Sequence, residues 1–214
     1  MIDVQKEQNV IEYYVLCNKL KYVIRTGWKD WKVKKDRLES VAEHIYGVQM
    51  LALAIYSEYQ YDIDIMKVIM MLAIHELEEI KIGDLTHFQI SKEEKKIIGH
   101  KAVEEVLGSL KIKDQIKQLI EEFDERTTPE ARFAHYCDKL ECDLQCKLYD
   151  EEGFVDLNNQ EGNDTYNNEK VQELLKQEKT WSGMWLSYGQ DKYRYDENFT
   201  AISNYAKRYS IKKV

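Results

Sequence analysis

One proline, Pro129, and nine glycines serve a chain of 214 residues. Sheet proteins change direction about every 8–12 residues and rely on turn residues to do so. A chain this poor in them is not built that way, and an all-α fold is expected. The length suits one to two domains and a core of useful size. With 43% hydrophobic and 33% charged residues, the chain reads as globular rather than disordered or fibrous.

Val10, Tyr13, Tyr14, Cys17, Leu20 and Ile24 recur by threes and fours and predict a helix over 6–24. Arg25-Thr26-Gly27-Trp28 is a glycine-broken segment leading into a charged stretch to Arg37. Ser40-Val41-Ala42-Glu43 has the form of a capping box. It opens a helix to about Glu58, with Val41, Ile45, Val48, Ala52 and Ile55 on its apolar face. Residues 65–74, IMKVIMMLAI, contain one polar side chain. With Asp64 as cap, they predict a central helix buried nearly all round. Ser91-Lys92-Glu93-Glu94 is a second capping box and starts a helix to about Leu107. Another helix is expected over 112–123. Thr128-Pro129, a cap followed by proline at the first helical position, starts one to about Tyr149. Residues 151–168 turn to Asn, Asp and Gly and read as a loop or insertion. Helices near 169–179 and 194–211 flank an aromatic patch of Trp181, Trp185 and Tyr188. The expected organisation is one helical domain over 1–150 with a C-terminal helical extension, 151–214, packed on it.

The net charge of −8 disfavours a nucleic-acid polymer as partner, because phosphate backbones call for a basic surface. No apolar run approaches the roughly 18 residues of a membrane span. The opening MIDVQKEQNVIEYY carries acids and lacks the apolar core of a secretory signal. Four cysteines in such a chain read as reduced thiols in a cytoplasm.

The chemistry centres on His75-Glu76, which directly follow the most hydrophobic segment. Polar groups at the end of a buried helix are costly unless paired or bound to a metal. At about 100° per residue, His75, Glu76 and Glu79 fall within one arc of roughly 100°. One imidazole and two carboxylates facing a cavity suit a divalent metal. A helix end emerging into water accounts for the same residues. His44 sits near the apolar face of its helix, where a hydrogen-bonded core histidine is the plainer explanation. Asp138 lies beside the stripe of Phe133, Cys137, Leu140, Leu144 and Leu148. Spacing there favours an exposed acid paired with the neighbouring lysine. Cys137, Cys142 and Cys146 lack the paired spacing of a zinc site. His87, His100 and His135 show no partner pattern and carry no assigned role.

Taken together, His44, His75-Glu76 and Asp138, in that order and on helices, resemble the H…HD…D pattern of the HD-domain metal-dependent phosphohydrolases. Glu39-Ser40-Val41-Ala42-Glu43-His44 is similar to that family's E-[SN]-V-A-[ED]-H segment. Glu79 followed by Gly83-Asp84-Leu85, and Arg25 with Trp28, are similar to segments of its 5′-deoxynucleotidase branch. The likeness spans about residues 10–150. It departs at position 76, where glutamate replaces the aspartate that gives the family its name.

The resemblance implies a compact helical bundle around one divalent ion (Mn, Co, Fe, Ni, Zn or Mg), ligated by His44, His75, Glu76 and Asp138. It implies catalytic roles for Glu79 and Asp84, a phosphate contact for Arg25, and a place beside the sugar for Trp28. The implied activity is hydrolysis of a (deoxy)nucleoside monophosphate to nucleoside and phosphate, by a cytoplasmic homodimer. The longer side chain of Glu76 motivates an alternative: a degenerate HD domain that binds metal or nucleotide without turnover.

Overall fold

Most of the long helices begin on a side chain that accepts hydrogen bonds from the first free backbone N–H groups. This local chemistry sets the element boundaries in the computed structural model, which describes residues 4–86 and 89–212. Ser40 and Glu43 form a reciprocal capping box at the head of α3 (Val41–Tyr59). Asp64 caps α4 (Ile65–Ile74) by accepting from the backbone of Met66 and Lys67. A second capping box, Ser91 with Glu94, opens α6 (Lys92–Leu107). Thr128 and Pro129 open α8 (Pro129–Glu151), a helix of 23 residues. Each of these starts lies where the sequence predicts it, because a cap is a local signal.

The first predicted helix is shorter than its periodicity suggests. α1 runs over Val4–Cys17 and tightens into a 3-10 turn at Asn18–Lys21. The glycine-broken segment after it contains a helix of its own, α2 (Thr26–Asp30). The remaining elements are α5 (Glu79–Ile82), α7 (Lys113–Glu125), α9 (Asp164–Asn167), α10 (Glu169–Glu178), α11 (Trp181–Tyr193) and α12 (Glu197–Arg208). Among the described residues, β-structure is limited to one antiparallel bridge, between Ile24 and Ser40. His87 lies outside the described residues.

α8 is the axis of the molecule. It packs against α3, α4, α7, α11 and α12, so it is buried on most of its circumference. One core joins α3, α4 and α8 with Phe199 of α12. A second joins the 3-10 turn to α6 and α7. A third gathers Trp28, Trp31, Tyr149, Trp181 and Met184 where α2 meets the C-terminal half of α8 and the first turn of α11. The aromatic patch of the sequence is therefore largely packing between helices. The loop before α9 is tied down: Gln160 donates to the Trp31 carbonyl at 3.1 Å and accepts from Asn163 at 2.9 Å.

α4 departs from expectation. Val68, Met71 and Leu72 are fully buried, but Met66 and Met70 on its outer face are 72% and 48% exposed. The helix lies at the edge of the bundle rather than at its centre.

Candidate metal centre

Three stretches far apart in sequence bring four side chains to one point. His44, one turn into α3, is fully buried. Its Nδ1 lies 2.6 Å from Glu141 Oε2 and its Nε2 3.2 Å from Asp138 Oδ1. His75 closes α4. Its Nδ1 donates to the Leu72 carbonyl at 2.8 Å, which leaves Nε2 facing inward. That nitrogen stands 3.6 Å from Glu76 Oε1 and 3.8 Å from Asp138 Oδ1. It is buried and has no hydrogen-bond partner. One ligand atom from each of His44, His75, Glu76 and Asp138 lies within 4.8 Å of all the others, close to the span that two metal–ligand bonds of about 2.2–2.4 Å cover.

The donor set fits a divalent cation. Two imidazole nitrogens and two carboxylate oxygens suit Mn, Fe, Co, Ni or Zn. The orphaned Nε2 of His75 is a buried polar atom of the kind that is otherwise expensive. Local electrostatics also favour positive charge at this point. Burial and the Arg25 charge oppose protonation of His44, yet Glu141 and Asp138 outweigh them and push the imidazole up to about 9. Burial raises Asp138, but Lys139 and the two imidazoles more than offset it and hold its carboxyl well below the usual range.

Asp138 is 3% exposed, not the surface acid that its spacing suggests. The lysine pairing is present even so, with Lys139 Nζ 2.7 Å from Asp138 Oδ2. Glu76 reaches the cluster despite its extra methylene, because the chain leaves the helix at His75 and turns before α5. Glu79, at the start of α5, is 1% exposed. Its Oε1 lies 3.5 Å from Lys95 Nζ and its Oε2 has no partner. Burial first, then the charges of Glu76 and Asp84, push its carboxyl up to about 11.

Arg25 points into the same region. Its guanidinium lies 3.6 Å from Glu76 Oε1 and 3.7 Å from the Cys142 sulfur. Asp84 follows Gly83, whose φ of +73° makes the turn. It accepts from the Thr26 backbone N–H at 2.5 Å, while its own carbonyl accepts from the Thr26 hydroxyl at 2.6 Å. These bonds fix α2, and Arg25 before it, against the α5 end of the site. Trp28 is placed differently from expectation. It is 4% exposed, stacks edge-on to Tyr149 and Trp181, and donates its indole N–H to Glu39 at 2.8 Å. Its ring is part of the third core rather than an open wall beside a sugar.

Several residues at the site carried no assignment from sequence. Glu141 sits one turn after Asp138 on α8, a spacing visible in the chain, and contacts His44 Nδ1. Glu39, Lys95 and Lys139 surround the cluster: Glu39 opens the segment that ends at His44 and Lys139 follows Asp138, whereas nothing in the sequence marks Lys95. His135 lies nearby, and burial with the Lys139 charge pushes it down to about 3, so it is a neutral imidazole.

The HD-domain profile matches residues 17–181. The chain belongs to the HD-domain family. Among its HD-domain relatives, 5′-deoxynucleotidase HDDC2 of Dictyostelium discoideum is 34% identical over 152 residues, covering 67% of this chain and 79% of the relative. The Danio rerio protein of the same name is 32% identical over 148 residues, covering 67% and 70%. In structure, the HD-domain bundle is similar to a Pyrococcus horikoshii protein, with a TM-score of 0.62 at 24% identity over 92% of this chain and 98% of that one. It is also similar to a protein of Magnetospirillum magnetotacticum described as a predicted metal-dependent phosphohydrolase, with a TM-score of 0.66 at 20% identity over 95% and 94%. No helix among the described residues is long and apolar enough to cross a membrane.

Proposed function

We propose that the protein is a metal-dependent phosphohydrolase that removes the 5′-phosphate from deoxynucleoside monophosphates. The observation that carries this reading is the convergence of His44, His75, Glu76 and Asp138 within 4.8 Å, beside the half-buried Arg25. The relatives that bear the name 5′-deoxynucleotidase support the substrate class.

Carboxylates outnumber cations at the site. Glu39, Glu76, Glu79, Asp84, Asp138 and Glu141 stand against Arg25, Lys95 and Lys139. Added positive charge at this point favours the entry of an anionic phosphate. A divalent ion held by the four ligands would supply it, and would also polarise the phosphoryl group and make a water more acidic. Arg25, confined by Glu76 and Asp84, offers a planar fork to phosphate oxygens. Glu79 and Asp84 divide the proton transfers at the attacking water and the leaving 5′-oxygen. Trp28 acts from the core, holding Glu39 behind His44.

A homodimer is part of this reading. Tyr46, Met50 and Leu53 form an exposed stripe on α3, and Met66 and Met70 extend it on neighbouring α4. Apolar stripes of this extent favour association. Cytoplasmic residence is supported by the four free cysteines.

The test is a metal analysis and a nucleotide screen on one preparation, with Mn²⁺, Co²⁺, Mg²⁺ or Zn²⁺ added. Phosphate release from deoxynucleoside monophosphates is expected, and His75→Ala should abolish both metal retention and turnover. No release with any ion would end the nucleotidase proposal.

A further inference from the structure

We propose that Glu141 is a positioning residue of this centre, acting on the metal through His44. The inference rests on the metal-centre reading above. Glu141 and His44 are both buried, and their contact, Nδ1 to Oε2 at 2.6 Å, joins α8 to α3. Both ring nitrogens face a carboxylate, Glu141 at Nδ1 and Asp138 at Nε2. Asp138 is itself a ligand in the reading above, so an ion taken up between it and the ring would displace any proton on Nε2 and keep the one on Nδ1, where Glu141 accepts it. In that state Nε2, the atom facing Asp138, would turn its lone pair to the ion. A histidine without such an acceptor is free to rotate and to exchange tautomers, and outer carboxylates of this kind strengthen metal binding.

A second observation comes from α3. Gly47 lies three residues after His44, inside a helix of 19 residues. Glycine at such a position costs roughly 1 kcal/mol relative to alanine. A Cβ there would stand 2.5 Å from Glu141 Oε1. The glycine thus leaves room for the carboxylate that holds the imidazole. Glu39, itself fixed by the Trp28 indole, offers an oxygen within 4.8 Å of the same pair and closes the arrangement from behind.

The experiment measures Co²⁺ affinity by chelator competition, together with the visible absorption of the Co²⁺ form, in Glu141→Gln, Gly47→Ala and His44→Ala. Glu141→Gln should weaken Co²⁺ binding by about 10- to 100-fold and shift the absorption bands, with the metal-free protein melting as the unaltered one does. Gly47→Ala displaces only the end of a flexible side chain and should give the same loss, so it decides the matter if Glu141→Gln does not fold. His44→Ala should lose Co²⁺ altogether. Unaltered affinity and bands in Glu141→Gln, with His44→Ala unable to bind, would overturn the role of Glu141 alone. Full Co²⁺ binding by His44→Ala would overturn the metal-centre reading as well.

Discussion

Position 76 holds a glutamate where the HD pattern has an aspartate, and its carboxylate lies within the cluster of His44, His75 and Asp138. Its oxygen reaches the cluster because the backbone has already left α4, so the extra methylene is absorbed by the turn at residues 75–78. The site is set for the longer side chain, and Glu76→Asp should withdraw the carboxylate by more than about 1 Å. Displacements of that size cost on the order of 100-fold in rate. Steady-state kinetics on a deoxynucleoside monophosphate should show that loss, whereas a gain in activity would favour the non-catalytic alternative. Glu79→Gln keeps the volume of the side chain but removes its proton chemistry. It should lower kcat by about 100- to 10,000-fold while Co²⁺ binding stays intact, which chelator competition checks. The four clustered residues are legible as motifs, but the burial of Asp138 is not legible from spacing. α8 is enclosed by five other helices, so its apolar stripe is only one of several buried faces, and a polar residue beside it is no longer a surface residue. The burial of Trp28 is hidden for a related reason: an indole suits a sugar wall or a core equally well, and only the folded chain reveals Glu39 and Tyr149 beside it.

Helix starts were the most readable elements, since a cap and its partner lie within three residues of each other. Helix surroundings were not. The apolar run of α4 reads as central, but which of its faces meets another helix depends on contacts made by residues far along the chain. The junction of α8 with α11 is such a long-range feature. Asp143 of α8 is buried against Gly189 of α11, with the Tyr195 hydroxyl 3.4 Å from its Oδ2. Burial raises its carboxyl well above the ordinary value of 3.8. A raised acid folds with full stability below that ordinary value and loses stability as the pH climbs toward its folded one. Asp143→Asn has no charge to acquire. It should melt higher than the unaltered protein at neutral and alkaline pH, with the difference vanishing below about pH 4. Melting curves across that range test the point, and a difference independent of pH would refute it.

For the molecule as a whole, the stripe on α3 and α4 leads to a statement about assembly. Leu53→Glu combined with Met66→Glu places charge on that face without touching the metal centre. If the proposed homodimer uses this face, light scattering should show a monomer for the double variant and a dimer for the unaltered protein, with deoxynucleotidase turnover per chain retained. The ligand arrangement has a different consequence at this scale. His44 and Asp138 are 94 residues apart along the chain, and an unfolded polypeptide does not hold them near each other, so an ion bound here stabilises only the folded form. Stripping the ion should therefore speed cleavage by an added protease, and restoring it should slow cleavage again. In a living cell the same linkage would tie the turnover of this protein to the supply of divalent cations, so that metal scarcity thins the enzyme population as well as silencing it.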